Sequence, residues 1–171
     1  MAYVSIKIMG QEGVTQMFRE TNKRASDLRP VFRRPGITSD FRRLMVERFY
    51  SEGAFHGTPW MPLKESTIKL KVSLGYPVTI LHRTGELRRS FTTGVMGWRV
   101  MTRQSIGFGT DLHYGYIHQG PEPWRHIARK SGNVTMVPAR PPWEWDERTE
   151  RKWTRAINRY IQTGVVSLAP W

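Results

Sequence analysis

A chain of 171 residues and 20.0 kDa is long enough for one domain with its own core and short for two. It holds no cysteine, which excludes disulfides, thiolate catalysis and zinc–cysteine sites. Its formal net charge of +13 divides as +4, +5 and +4 over residues 1–60, 61–120 and 121–171, so the basic character belongs to the whole surface, facing either a polyanion or plain solvent.

Tyr3–Met9 alternates Val4, Ile6 and Ile8 with Ser5 and Lys7, the period of a half-buried strand. This opening has no basic region followed by an apolar run, and no stretch of the chain reaches the roughly 18 apolar residues of a membrane span. A protein made in a cytoplasm, without a signal peptide or membrane segment, is therefore expected. Val14, Met17, Phe18, Thr21, Ala25 and Leu28 then fall at helical spacing, with Pro30 as the stop. After a turn at Pro35-Gly36, Ser39 is placed to cap a second helix whose Phe41, Leu44, Met45 and Phe49 share a face. Arg42, Arg43 and Arg48 are read as its solvated side.

The stretch from Gly53 to His82 is rich in Gly and Pro, with a helical piece from Ser66 to Leu74 closed by Gly75. Thr84 is placed to cap a short helix through Arg89. Phe91–Val95, Trp98–Thr102 and Ser105–Gly109 read as a three-strand meander. Segments flanking Ser131-Gly132-Asn133 suit an extended hairpin arm over about 120–137. The last helix, near 144–163, follows Pro141-Pro142, gathers acids at its start, and carries a stripe of Trp153, Ala156, Ile157, Tyr160 and Ile161. Together these predict a single α+β domain. An antiparallel sheet of about four strands, counting Tyr3–Met9, is packed by two to three helices near 12–28, 39–51 and 144–163.

Chemistry-bearing patterns are weak. His56, His82, His113, His118 and His126 show no metal-ligand spacing, and His113 and His118 are read as loop residues making hydrogen bonds. No serine sits in a nucleophile-elbow turn, and Gly107-Phe108-Gly109 lacks the further glycine and lysine of a phosphate loop. Four carboxylates crowd one helix start instead of pairing for acid–base work. Trp124-Arg125-His126 pairs an aromatic with basic groups as a base-stacking site would, but packing or subunit contact is the favoured role for these tryptophans, Trp143 and Trp145 included. An enzyme is not expected.

An ordered set of short motifs is more specific. Gly57-Thr58-Pro59-Trp60-Met61-Pro62-Leu63 is followed by Ser66-Thr67-Ile68 and Lys71, then Ile80-Leu81 and Thr84-Gly85-Glu86-Leu87-Arg88-Arg89-Ser90-Phe91. Ile106-Gly107-Phe108-Gly109-Thr110 leads to Tyr114 and Ile117-His118-Gln119-Gly120, and Val137-Pro138-Ala139-Arg140-Pro141 closes the series. This order, over about Gly53 to Trp145, resembles the phage virion morphogenesis family, the tail-completion and neck proteins of Mu-like and other long-tailed phages. One departure is visible: the family tends to place Phe and a small turn after Ala-Arg-Pro, whereas Pro142-Trp143 here leads into the acidic helix start.

The resemblance implies a structural virion component with no cofactor and no substrate, made in the host bacterial cytoplasm. It implies a place at the head-proximal end of the tail, completing the tail or joining it to the head. It further implies a homo-oligomeric ring, sixfold to match the tail, held by heterologous contacts. Partners would be the tail-tube protein and the head-connector or neck proteins, and no membrane. Packaged DNA would meet basic residues without sequence preference, with Arg33, Arg34, Arg103, Arg125, Arg129 and Lys130 as candidates. A basic DNA-binding or packaging accessory protein is the competing reading. Within the motifs, Thr84-Gly85 would cap and turn, Gly109 would permit a close backbone approach, and Arg140 would anchor a carbonyl or carboxylate through its forked donors. Trp60, Leu81 and Leu87 are expected in the core.

Overall fold

The computed structural model describes residues 11–33, 35–94, 97–120, 124–127, 134–144 and 146–168, with the side chains of 11, 124–127, 134 and 135 left aside. The predicted strand Tyr3–Met9 lies outside these residues.

The centre of the molecule is α3 (Ile37–Tyr50), which buries Ile37, Phe41, Leu44, Met45 and Phe49. Its cap is Gly36 and not Ser39, because Pro35-Gly36 turns the chain so tightly that a Cβ on Gly36 would strike the Val31 carbonyl. Ahead of it run α1 (Gln11–Ser26) and the short α2 (Arg29–Phe32). Pro30 was expected to stop the first helix. It opens α2 instead, in the first turn, where no N–H is required of it.

Two more short helices follow: α4 (Glu65–Ser73), which buries no residue, and α5 (Glu86–Thr92), which buries Leu87, Ser90 and Phe91. Gly85, with φ of 78°, is the cap of α5, so Thr84 stands one residue outside it. Phe91 and Thr92 complete α5 and are not the start of a strand, since Phe91 is drawn inward against Phe41 at 6.5 Å between ring centroids.

The expected four-strand sheet resolves into two separate ladders. β1 (Gly97–Met101) pairs antiparallel with β2 (Ile106–Thr110), with Trp98 opposite Gly109 and Val100 opposite Gly107. β3 (Trp124–Ile127) pairs antiparallel with β4 (Val134–Val137), Trp124 opposite Val137; the second strand is as expected, the first begins a residue before the expected Arg125–Arg129, and 128–133 lie outside the described residues. Between the ladders, α6 (His113–Gln119) replaces the loop expected around His113 and His118. α7 (Glu147–Thr163) closes the fold.

A continuous core joins Phe32, Ile37, Phe41, Leu44, Met45 and Phe49 to Trp60, Ile80, Leu87, Phe91, Leu112 and Trp153. Phe41 stacks on Phe108 at 4.0 Å and Phe49 meets Trp60 edge-on at 5.4 Å. α7 is fastened to this core through polar contacts. Asp40 accepts from Lys152 Nζ at 2.6 Å and from Trp153 Nε1 at 2.8 Å, and both charged side chains are nearly excluded from water. At the other end of α7, Arg24 donates to the Ile161 and Gln162 carbonyls at 3.3 and 2.9 Å, supplying donors to a helix terminus that has none of its own.

Candidate functional site

The motif residues converge on two irregular segments, 51–64 and 138–146, which lie against one another. Without regular structure, their partly buried backbone carbonyls need donors from elsewhere. Arg48 supplies them. Its Nε donates to Pro142 O at 3.2 Å, Nη1 to Phe55 O and His56 O at 3.1 and 3.0 Å, and Nη2 to Pro141 O at 3.3 Å. Its side chain is fully buried, with Glu144 at 3.7 Å. Burial lowers its pKa, which Glu144 and then Asp146 partly counter. Gly57 allows this arrangement, because a Cβ there would overlap the Arg48 guanidinium.

Arg48 was read as solvated, and the structure reverses that. It stands four residues after Leu44 and seven after Phe41, on the buried stripe of α3 that Ile37 begins. The sequence signal existed in that spacing; the charge masked it.

Arg140 repeats the device from the opposite side. Buried to 8 % exposure, it donates from Nε to Met61 O at 2.7 Å and from Nη2 to Pro62 O at 3.0 Å, anchoring carbonyls by its fork. Trp60 is core, and its Nε1 donates to Pro141 O at 2.9 Å. Gln119 Nε2 donates to Trp143 O at 2.8 Å, and Lys71 Nζ gathers the carbonyls of Pro77, Thr79 and His82 at 2.7–2.9 Å. His56 Nδ1 lies 2.9 Å from Asp146 Oδ2, while Oδ1 of the same carboxylate accepts from Thr149 N and caps α7. The non-glycine residues in the left-handed region, Glu52, His56 and Leu81, all flank these ties, so the fastening also holds strained backbone.

The remaining motif residues surround a cleft of about 570 Å³ beside these ties. Leu63, Lys71, Leu81, Thr84, Gly85, Leu87, Tyr114, His118 and Arg140 line it. Leu87 is fully core, whereas Leu81 is only half-buried at its strained position. Glu86 is the acid of the cleft lining, and Tyr114 beside it is held above its ordinary pKa by burial first and Glu86 second. His118 is pushed below its ordinary pKa by burial, then by Arg140, and its buried Nδ1 has no hydrogen-bond partner. The cations here are engaged: Lys71 and Arg140 by carbonyls, Arg83 by the face of Tyr76 at 4.8 Å.

Other motif residues serve packing. Ser90 Oγ returns to Leu87 O, Thr110 Oγ1 accepts from Leu112 N, and Thr67 N closes the first turn of α4 on Lys64 O. Gly109 lies under the Trp98 ring, where a Cβ would collide. Gly120 ends α6, and Ala139 is half-buried beside Arg140. Of the basic candidates, Arg33 is exposed after α2, and Arg103 is exposed at the β1–β2 turn. Arg103 acts on Asp27, a carboxyl lowered to about 2 chiefly by its hydrogen bond to Arg29. Arg125 stands on β3 opposite Met136, while Arg34, Arg129 and Lys130 lie outside the described residues. The structure thus gathers the motifs, and the two basic candidates whose side chains it describes, Arg33 and Arg103, are exposed.

Among the described residues, no group of three or more His, Cys, Asp or Glu side chains could hold a metal ion, and no helix is long and apolar enough to cross a membrane. What the structure defines is an α+β fold whose motif side chains fasten its loops. The phage virion morphogenesis family matches residues 10–162, and the chain belongs to that family. Its role is in building a phage virion, as a component of the particle. Comparison with curated proteins and with solved structures found no match.

Proposed function

We propose that this protein is a non-catalytic part of the virion that acts at the head-proximal end of the tail, completing the tail or joining it to the head as a ring of about six copies. The reading rests on family membership together with one observation: two elements keep apolar surface that their own fold does not use. The first half of α1 exposes Val14, Met17 and Phe18, the last at 65 %. α4 and the loops on either side of it expose Met61, Leu70, Val72, Leu74 and Val78. Patches of this kind mark contact surfaces. Two unlike patches on one subunit are what a closed heterologous ring requires, each covering the other on the next copy. Tail-tube and head-connector proteins are the partners this placement calls for, with the β3–β4 hairpin as a further contact.

The experiment is electron microscopy of lysates from phage lacking the gene. Heads filled with DNA beside free tails, with joined particles restored by adding purified protein without nucleotide, is the expected result. Empty heads beside normal tails would move the role to DNA packaging, and normal joined particles would overturn the proposal.

A further inference from the structure

The outer face of α7 carries a ridge that neither the motifs nor the fold explain. Trp153 and Ala156 are buried on its inner face, and opposite them stand Arg148, Arg151, Arg155 and Arg159, all exposed. At 3.6 residues per turn, these four fall within about 80° of one another around the axis. They extend along about 16 Å of helix, at 1.5 Å per residue. Asn158 and Gln162 share the ridge, and it contains no apolar residue and no carboxylate. Arg151 pairs at the edge with Glu147 at 3.3 Å, in an exposed pair of little strength. Arg159 reaches Ser167 Oγ at a long 3.4 Å, and Arg148 and Arg155 make no ion pair among the described residues.

Keeping like charges this close along one helix is unfavourable without an anion. We infer that the outer face of α7 is a binding surface for the phosphate backbone of duplex DNA, read without sequence preference. A protein partner would need an apolar anchor at the centre of the contact, and the ridge has none. Duplex DNA needs what the ridge does have, guanidinium groups on long stems, donors beside them, and a convex surface that does not demand a matching pocket. The inference goes beyond the head–tail placement and depends on purified protein and DNA alone, so its failure would leave the lysate result untouched.

The test is fluorescence anisotropy of the full chain with two duplexes of unrelated sequence, titrated at several salt concentrations. Each neutralised phosphate contributes about 0.9 to the slope of log affinity against log salt. The triple variant Arg148→Gln, Arg155→Gln, Arg159→Gln should therefore flatten the slope by about 2.7. Between roughly 50 and 200 mM salt, wild type should lose about 40-fold more affinity than the variant. Lys64→Gln, Lys69→Gln, Arg89→Gln removes the same charge from other faces and should leave the slope near wild type. Unchanged binding by the first variant, an equal effect in the second, or a clear preference between the duplexes would each overturn the inference. Both variants change only exposed side chains, and unaltered thermal unfolding confirms that the comparison is between folded proteins.

Discussion

The loops at 51–64 and 138–146 and the helices α1 and α4 invert the usual relation between regularity and fixity. The loops lack secondary structure, yet Arg48, Arg140, Trp60 and Gln119 tie them with eight side-chain hydrogen bonds to carbonyls. The helices satisfy their own backbone, yet α4 buries nothing and half of α1 stands bare. A helix needs no neighbour to satisfy its interior backbone groups, so it can be left projecting. A buried irregular segment must find donors elsewhere, and two arginines from distant positions provide them. The most heavily tied part is therefore where the chain looks least ordered, and the barest surfaces are where it looks most ordered.

Substitutions can break this contrast, and they rank by what they leave unpaired. Arg48→Met keeps much of the volume but takes the side-chain donor from the carbonyls of Phe55, His56 and Pro142, while Pro141 O keeps Trp60 Nε1. A loss of about 3–5 kcal/mol is expected from urea unfolding, and a loss under about 1 would mean that the loops are held by packing alone. Arg140→Lys keeps charge but not the fork, so it should cost about 1–3 kcal/mol by the same measurement.

A smaller effect is expected from pH. Because the fold favours neutral His118, its contribution is complete above the ordinary value of 6.5 and declines as pH falls from there through the lowered folded value. Melting temperature should therefore drop between about pH 7.5 and 5, and drop less in His118→Gln; His82, shifted the same way by burial, retains part of the dependence. The smallest stability change belongs to Phe18→Ser on α1, within about 0.5 kcal/mol of wild type. That variant should nevertheless sediment as a smaller species than wild type if α1 is a ring contact. Unchanged assembly would remove α1 from the interface.

Periodicity made α1, α3 and α7 legible, since each has a repeating face, α4 was marked by the Gly75 that closes it, and the β1–β2 and β3–β4 pairs followed from their turns. The Arg140 anchor was visible because rigid proline neighbours left it little else to do. What stayed hidden depended on contacts across the chain. Phe91 looks like a strand start until Phe41 is beside it, and α6 carries a helix-weakening glycine whose reason is spatial: a Cβ on Gly115 would sit 2.7 Å from Thr110 Cγ2. Arg48 was hidden by a habit of reading charge as exposure, although its phase on α3 said otherwise. The alternation in Tyr3–Met9 suits a strand but cannot say what that strand would pair with.

The reach of Arg48 also has a consequence for synthesis. Its carbonyl partners at Pro141 and Pro142 lie 93 and 94 residues downstream. At about 5–20 residues per second, a ribosome takes roughly 5–20 s to deliver them after Arg48 has emerged. Throughout that interval the buried guanidinium of α3 has only the nearby Phe55 and His56 carbonyls to receive it, so its closing contacts are expected late. Such long-range closure makes this a protein that folds late, when nearly all of it has been made. A nascent chain stalled before Pro141 should accordingly remain open to protease, and one released past α7 should not.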